Sequence, residues 1–187
     1  MNVKSTEIPG VLVIEPKVFP HSRGGFLETW QAERYAAIGV PSDFVQDNLS
    51  SSNAGVLRGL HLQHPHDQAK LVQTLVGTVF DVAVDVRVGS PTFGTWVGAE
   101  LSDETFRQLY IPAGFAHGFC VVSDFALFSY KCSDFYAPDC EIAIRWDDPD
   151  IGIDWPLSEP VVSGKDAQGL LLKDIDPDRL PCFVDRP

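Results

Sequence analysis

The sequence has few basic residues and no long apolar run. It contains 14 lysines and arginines against 26 aspartates and glutamates, which gives a formal net charge of −12. Because nucleic-acid binding requires a basic face, this charge argues against a nucleic-acid partner. No apolar segment approaches the ~20 residues of a membrane-spanning helix, and the first ten residues, MNVKSTEIPG, lack the apolar core of a signal peptide. We therefore expect a cytoplasmic protein without a membrane partner.

Cysteines are also few, and no two of them form a CxxC pair. The four are Cys120, Cys132, Cys140 and Cys182. Disulfide frameworks belong mainly to short secreted chains, whereas this chain has 187 residues. The spacing therefore favours free thiols.

Residues 78–88 alternate between apolar and polar side chains. The even-numbered positions from 80 to 88 are apolar, whereas Asp81, Asp85 and Arg87 occupy odd-numbered positions. A period of two predicts a strand with one face on a core. We therefore expect Asp81 and Asp85 to face solvent or a partner subunit.

Glycine and proline interrupt other short apolar runs at close intervals, which is typical of a β-sandwich or barrel. Within this pattern we predict short helices at residues 31–38 and 170–180, and a turn-rich segment at residues 50–55. No internal repeat or linker interrupts residues 1–187. The pattern predicts one all-β domain with a few short helices.

The segment 56–77, VLRGLHLQHPHDQAKLVQTLVG, combines strand-forming residues with ionisable side chains. It holds three of the five histidines, at positions 61, 64 and 66, together with Arg58 and Lys70. A binding pocket needs polar groups fixed on rigid strands. This segment is therefore the candidate floor of a pocket.

Two short motifs resemble the metal-binding motifs of cupins in degenerate form. His64 and His66 form the HxH of the first motif, but Lys70 stands where a glutamate would lie. In the second motif, PxGxxHxxxN, His117 is present and Val121 replaces the asparagine. Since an ammonium group cannot ligate a divalent cation and repels it, these motifs favour a cupin jelly roll without a metal site.

Nine longer motifs follow one another in a fixed order over nearly the whole chain. They are FVQDNLS at 44–50, VLRGLHLQ at 56–63, QAKLV at 68–72, FDVAVDVR at 80–87, SPTFG at 90–94, IPAGFAHGF at 111–119, SYKCSDFYAP at 129–138, WDDPDIGIDWP at 146–156 and SGKD at 163–166. Together they are highly specific. On these motifs the sequence resembles the dTDP-4-dehydrorhamnose 3,5-epimerase family.

The resemblance implies a cofactor-free and metal-free isomerase that acts as a homodimer on a dTDP-4-keto-6-deoxy-hexose. It implies inversion at C3, C5 or both, from dTDP-4-dehydro-6-deoxy-glucose to dTDP-4-dehydro-rhamnose. By the same resemblance, His61 is the base and Asp166 its partner carboxylate. Tyr130 is the acid, and Lys70 lies beside the sugar carbonyl.

Other positions match substrate contacts of the family. These are Arg23, Glu28, Gln46, Asp47, Asn48, Arg58, His117, Glu141 and Lys165, with Phe26 and Tyr136 as stacking partners for thymine. The residue types suit the chemistry. Histidine is the usual base near neutral pH, a phenol can donate a proton to the opposite face, and a cation stabilises the enolate formed next to a ketone.

Other interpretations stay open at the level of sequence. A C3-only or C5-only epimerase of an antibiotic-sugar pathway would share the base and the acid. A metal-dependent cupin would use His64, His66 and His117 as ligands, and a sugar-binding jelly roll would bind without proton exchange. From the residues alone, Tyr130 could also be a core residue, and Asp166 could cap a turn.

Overall fold

The computed structural model describes residues 1–41 and 43–184, so Ser42 and residues 185–187 of the predicted domain lie outside the described part. The described residues form two antiparallel sheets, a separate two-stranded hairpin and short helices. The strands are β1 (Asn2–Ser5), β2 (Leu12–Glu15), β3 (Val18–His21), β4 (Gly24–Leu27), β5 (Gln46–Asn53), β6 (Leu57–Gln63), β7 (Lys70–Val76), β8 (Thr78–Asp85), β9 (Trp96–Ser102), β10 (Gln108–Ile111), β11 (Phe115–Val121), β12 (Phe125–Cys132) and β13 (Glu141–Ala143). The helices are α1 (Ala32–Ala36) and α2 (Gly164–Ala167), and 3₁₀ turns cover Pro138–Cys140, Leu172–Asp174 and Pro177–Arg179.

The strand order is that of a jelly roll. The six-stranded sheet has the order β1-β2-β10-β7-β12-β5, and the five-stranded sheet has the order β13-β6-β11-β8-β9. Strands β3 and β4 pair only with each other. The predicted all-β jelly-roll class is confirmed, whereas the extent of a single domain stays a prediction. Within the described ranges, no helix combines the length and hydropathy needed to cross a membrane.

The main core lies between the two sheets. Val72 and Leu109 from the six-stranded sheet pack with Val79 and Phe119 from the five-stranded sheet, and all four are almost fully buried. Phe128 belongs to this core and also lines a cavity of about 500 Å³. The apolar layer therefore supports the cavity wall directly.

Strand β8 is buried on both faces, and this overturns one prediction. Val82 and Val84 pack against the C-terminal segment on the outside of the sheet. Asp81 and Asp85, on the other face, are completely buried. Asp81 contacts His117, and Asp85 accepts hydrogen bonds from Arg87. The expectation that both aspartates face solvent or a partner is wrong, because the face that carries them points into the interior, where Val79 and Ala83 join the main core.

The structure also tests the predicted helices and turns. Helix α1 confirms the short helix expected at residues 31–38. The turn-rich segment expected at 50–55 is wrong, because β5 extends to Asn53 and pairs with β12 over eight residues. The helix expected at 170–180 is replaced by two 3₁₀ turns. Cross-strand pairing overrides the turn preference of serine in β5.

Candidate active site

A cavity of about 500 Å³ opens between the sheets. His61, Lys70 and Tyr130 line it and also line an adjacent cavity of about 250 Å³. The two cavities therefore form one continuous site around these three side chains. His61 lies on β6, Lys70 on β7 and Tyr130 on β12, so both sheets contribute.

Close packing of two glycines sets the position of His61 relative to His117. These histidines are cross-strand partners on β6 and β11, and the register shifts between His117 and Phe119. A Cβ on Gly59, which has a φ of 125°, would lie 2.6 Å from the Cα of Gly118. Only glycine at position 59 permits both this backbone conformation and this approach. The two histidines consequently face the same cavity.

Asp166 orients His61. The Nε2 of His61 lies 2.7 Å from Oδ1 of Asp166, and the Gly59 N–H donates to the other carboxylate oxygen over 3.4 Å. Burial alone would raise the pKa of Asp166, but the hydrogen bonds from His61 and Gly59 lower it below its usual value. An ionised carboxylate only accepts, so Nε2 carries the hydrogen and Nδ1 of the neutral ring is left as the basic nitrogen.

The position of Asp166 depends on a helix cap. Ser163 is the N-cap of α2, and its hydroxyl accepts from the backbone N–H of Asp166. The capping role that the sequence leaves open for Asp166 is therefore filled by Ser163. This frees the Asp166 carboxylate to reach His61.

His117 forms a second and deeper pair. Its Nε2 lies 2.9 Å from Oδ2 of Asp81. Burial lowers the pKa of His117 and raises the pKa of Asp81, since both charged forms are disfavoured away from water. The ring of His117 stacks against Phe128 at 6.2 Å. This histidine is therefore held in place on a rigid wall.

Tyr130 and Lys70 face the cavity without hydrogen-bond partners in the described part of the chain. Burial raises the pKa of Tyr130, so its phenol keeps its proton at neutral pH. Burial lowers the pKa of Lys70, which has no ion-pair partner among the described residues. A new negative charge in the cavity would stabilise the ammonium form of Lys70. Tyr130 is a wall residue of the cavity and is only half-buried, in contrast to a core tyrosine.

The smaller cavity ends in a polar cluster. The Tyr136 hydroxyl donates to Glu141 over 2.8 Å, and Lys165 pairs with the same carboxylate oxygen. The Tyr136 backbone N–H donates to the side chain of Gln46 over 2.9 Å. Burial alone would raise the pKa of Glu141, but the hydrogen bonds from the Lys165 ammonium and the Tyr136 hydroxyl lower it. Asn48 lines the same cavity.

Strand β5 anchors Arg58 at the other end of the site. The Nε of Arg58 donates to Oγ of Ser52 over 3.0 Å, and Nη2 donates to the Ser51 carbonyl over 3.2 Å. Arg58 lines the larger cavity together with Lys165. The site therefore gathers local cations in a chain that is acidic overall.

Four predicted contacts lie away from these cavities. Asp47 points to the opposite face of β5 from Gln46 and pairs with Lys131, because successive side chains of a strand alternate between faces. Arg23 and Phe26 lie on the β3–β4 hairpin, and Glu28 follows that hairpin. Within this chain, Arg23, Phe26, Glu28 and Asp47 line neither cavity.

The alternative metal ligands are not assembled. His64 pairs with Asp67, His66 with Asp134, and His117 points to Asp81. Over residues 1–41 and 43–184, there is no group of three or more histidine, cysteine, aspartate or glutamate side chains that could hold a metal ion. The ligand set His64, His66 and His117 therefore has no support in the geometry.

Two residues of the site are absent from the substrate contacts predicted from the sequence. Ser50 lines the larger cavity, and Gln63 lines the smaller one. The buried amide of Gln63 donates to the Phe135 carbonyl over 2.9 Å and accepts from the Ala137 N–H over 3.1 Å, so it holds the segment that carries Tyr136. The sequence signal for Gln63 is its position two residues after His61, because residues two apart in a strand lie on the same face.

These features define an acid–base site in a jelly roll, in which a histidine–carboxylate pair, a protonated phenol and a partly buried lysine surround one cavity. A family model described as dTDP-4-dehydrorhamnose 3,5-epimerase matches residues 5–174. The chain therefore belongs to the dTDP-4-dehydrorhamnose 3,5-epimerase family, a family of isomerases, and the resemblance predicted from the motifs is confirmed.

Individual relatives agree over almost their full lengths. The chain is 54% identical to a dTDP-4-dehydrorhamnose 3,5-epimerase of Shigella flexneri, covering 94% of this chain and 98% of the relative. It is 42% identical to a dTDP-4-dehydrorhamnose 3-epimerase of Streptomyces niveus, covering 98% and 90%. A crystal structure of the 3,5-epimerase RmlC of Legionella pneumophila, in complex with dTDP-4-keto-L-rhamnose, is 53% identical, with a TM-score of 0.96 and coverage of 98% and 99%.

Proposed function

We propose that this chain epimerises a dTDP-4-keto-6-deoxy-hexose at C3 and C5, converting dTDP-4-dehydro-6-deoxy-glucose to dTDP-4-dehydro-rhamnose for rhamnose and polysaccharide biosynthesis. The observation that carries the proposal is the oriented His61–Asp166 pair, which shares one cavity with Tyr130. The substrates of the relatives supply the sugar nucleotide. The predicted cytoplasmic location stays a prediction.

The proposed reaction begins with proton removal. Nδ1 of His61 takes the proton from the carbon next to the C4 ketone, and the bond electrons move to the ketone oxygen as an enolate. The ionised Asp166 accepts from Nε2 and stabilises the imidazolium that forms. The lowered pKa of Asp166 supports this role, since the carboxylate keeps its charge at neutral pH.

Stabilisation of the enolate falls to Lys70. The Lys70 side chain is partly buried and has no ion-pair partner in the described chain, so no carboxylate competes with the enolate for its ammonium form. The enolate charge exists only after proton removal, and an interaction with it lowers the barrier rather than the energy of the bound substrate. Lys70 is therefore the proposed electrostatic catalyst.

Tyr130 completes the reaction by protonating the same carbon from the opposite face, which inverts it. The raised pKa of Tyr130 keeps the phenol in the protonated form that this step uses. Only protons move and no group changes its oxidation state, so the proposed reaction calls for no cofactor.

Arg58 and Lys165 suit the diphosphate, because both are cations on the cavity wall. Asn48, Gln46, Glu141 and His117 are the proposed polar contacts, and Tyr136 is the proposed stacking partner for thymine.

Solvent exchange tests the proposal directly. In deuterated water, the enzyme and the 4-keto sugar nucleotide should give a product with deuterium at C3 and C5, and His61→Ala should abolish the incorporation. Deuterium at C3 alone would instead favour a 3-epimerase, the activity that names the Streptomyces niveus relative. Retention of both protons with the unaltered enzyme would overturn proton-transfer chemistry altogether.

We also propose that the chain acts as a homodimer in which the β3–β4 hairpin of each subunit reaches the cavity of the other. The hairpin pairs with neither sheet, and Phe19 and Phe26 on it are 47% and 63% exposed. Arg23, Phe26 and Glu28 would then join the substrate contacts, and the exposed face of β5 that carries Asp47 would lie near the interface.

Mixing two inactive variants tests the shared site. Arg23→Ala and His61→Asn would place both lesions in one site of a mixed dimer and leave the other site intact. About one quarter of the wild-type activity should return, since half of the dimers are mixed and each has one intact site of two. A mixture that stays inactive, or a monomer by light scattering, contradicts the shared site.

A further inference from the structure

Two buried hydroxyls lack a hydrogen-bond partner within the described chain. They are Oγ of Ser50 and Oγ1 of Thr74. Buried polar groups are nearly always paired, because a hydroxyl removed from water without a partner destabilises the folded state. Such a group at a binding site is a candidate contact for the ligand.

The two hydroxyls differ in one respect that matters for a ligand. Both residues flank Phe128 in the six-stranded sheet, Ser50 on β5 and Thr74 on β7. Ser50 lines the cavity of about 500 Å³, whereas Thr74 lines none of the described cavities. A molecule in the cavity can therefore contact Ser50 and cannot contact Thr74. Oγ of Ser50 is itself enclosed, so its hydroxyl meets a ligand after rotation of the side chain about χ1.

The neighbours of Ser50 indicate the chemistry of its partner. Ser52 lies on the same face of β5, about 7 Å further along the strand, and holds the Arg58 guanidinium at 3.0 Å. On the other side, Asn48 is the cross-strand partner of Tyr130. A hydroxyl between a guanidinium and a phenol is placed to donate to an oxygen acceptor of an anionic, oxygen-rich ligand.

We propose that Ser50 is a substrate-binding residue whose hydroxyl donates a hydrogen bond to an oxygen of the nucleotide sugar. The inference rests on the proposed function, since that function supplies the ligand. The acceptor is an oxygen of the diphosphate or of the hexose, and both offer the same chemistry to a hydroxyl. Ser50 takes no part in proton transfer.

The test compares Ser50→Ala with Thr74→Val, which removes the other unpaired hydroxyl at nearly constant volume. Ser50→Ala should raise the Kd for dTDP, the KM for the 4-keto substrate, or both, by about 5- to 10-fold. The kcat should change by less than about threefold, because the proton-transfer groups are untouched. Thr74→Val should leave Kd, KM and kcat at wild-type values.

A comparison of dTDP with the intact substrate locates the oxygen that accepts from Ser50. Weaker binding of dTDP in calorimetry places the acceptor on the nucleoside diphosphate, and an effect confined to the KM of the intact substrate places it on the hexose. Ser50→Cys keeps a weak donor and should give a smaller loss than Ser50→Ala, which separates a hydrogen bond from a packing defect. Wild-type affinity of Ser50→Ala for both ligands overturns the inference alone. Failure of the wild-type enzyme to bind dTDP overturns the proposed function and this inference with it.

Discussion

Two histidine–aspartate pairs differ in their surroundings, although their histidines lie on the neighbouring strands β6 and β11 and line the same cavity. In one pair the side chains of His61 and Asp166 are 30% and 4% exposed, whereas in the other His117 and Asp81 are 9% and 0% exposed. The pKa of Asp166 is lowered and that of Asp81 is raised. The same two residue types therefore show opposite shifts of the aspartate pKa in the two pairs.

The difference comes from burial and from the number of hydrogen bonds to each carboxylate. Asp166 accepts from His61 and from a backbone N–H, and these outweigh the burial that would raise its pKa. Asp81 is more deeply buried, and its hydrogen bonds from His117 do not offset the loss of water. The pair at His61 can thus hold the charge that a base acquires, while the deeper pair favours neutral groups. His61 is accordingly the proposed base and His117 a substrate contact.

The largest effect is expected from the two histidines. His61→Asn should lower kcat by about 10²- to 10⁴-fold, because it removes the general base. His117→Asn should lower kcat by less than about tenfold and act mainly on KM, as expected for a contact that binds substrate and transition state alike. Steady-state kinetics on folded variants, checked by circular dichroism, measure both. Equal losses of kcat in the two variants would break the distinction between the pairs.

A smaller difference is expected from the two aspartates. Asp166→Asn keeps the size of the side chain but removes the charge that stabilises the His61 imidazolium, so kcat should fall by roughly 10²-fold. Asp81→Asn should leave kcat within about threefold, since the deeper pair does not acquire charge in the proposed reaction. Deuterium wash-in under single-turnover conditions reports the proton step itself. Faster exchange in Asp166→Asn than in Asp81→Asn is the result that contradicts this assignment.

The smallest effect concerns stability against pH. The folded pKa of Asp166 lies below its ordinary value of 3.8, so ionisation of Asp166 stabilises the fold above that value and the contribution is lost as pH falls through the folded pKa. Asp166→Asn should be about 1–3 kcal/mol less stable than the wild type at pH 7. The gap should narrow below pH 3.8 in urea unfolding. A gap that stays constant from pH 7 to pH 3 would show that the charge of Asp166 is not responsible.

Sequence patterns predicted much of this site because the chemistry lies in short motifs. The segment that holds Arg58, His61 and Lys70 was predicted as a pocket floor, and the structure places all three on the cavity wall. The alternation of β8 was also correct as a strand. The alternation did not show that both faces of β8 are buried, because the C-terminal segment that covers Val82 and Val84 is distant in the sequence.

Residue types, strand periods and motif order, all written in the sequence, determined the family, the all-β class and the candidate base, acid and cation. Tertiary structure alone decided that His61 meets Asp166 across 105 positions of the chain, that Asp47 pairs with Lys131, and that Ser50 lines the cavity. The physical reason is that local patterns are set by neighbours along the chain. Burial, pKa and the pairing of polar groups depend on residues that only folding brings within a few ångströms.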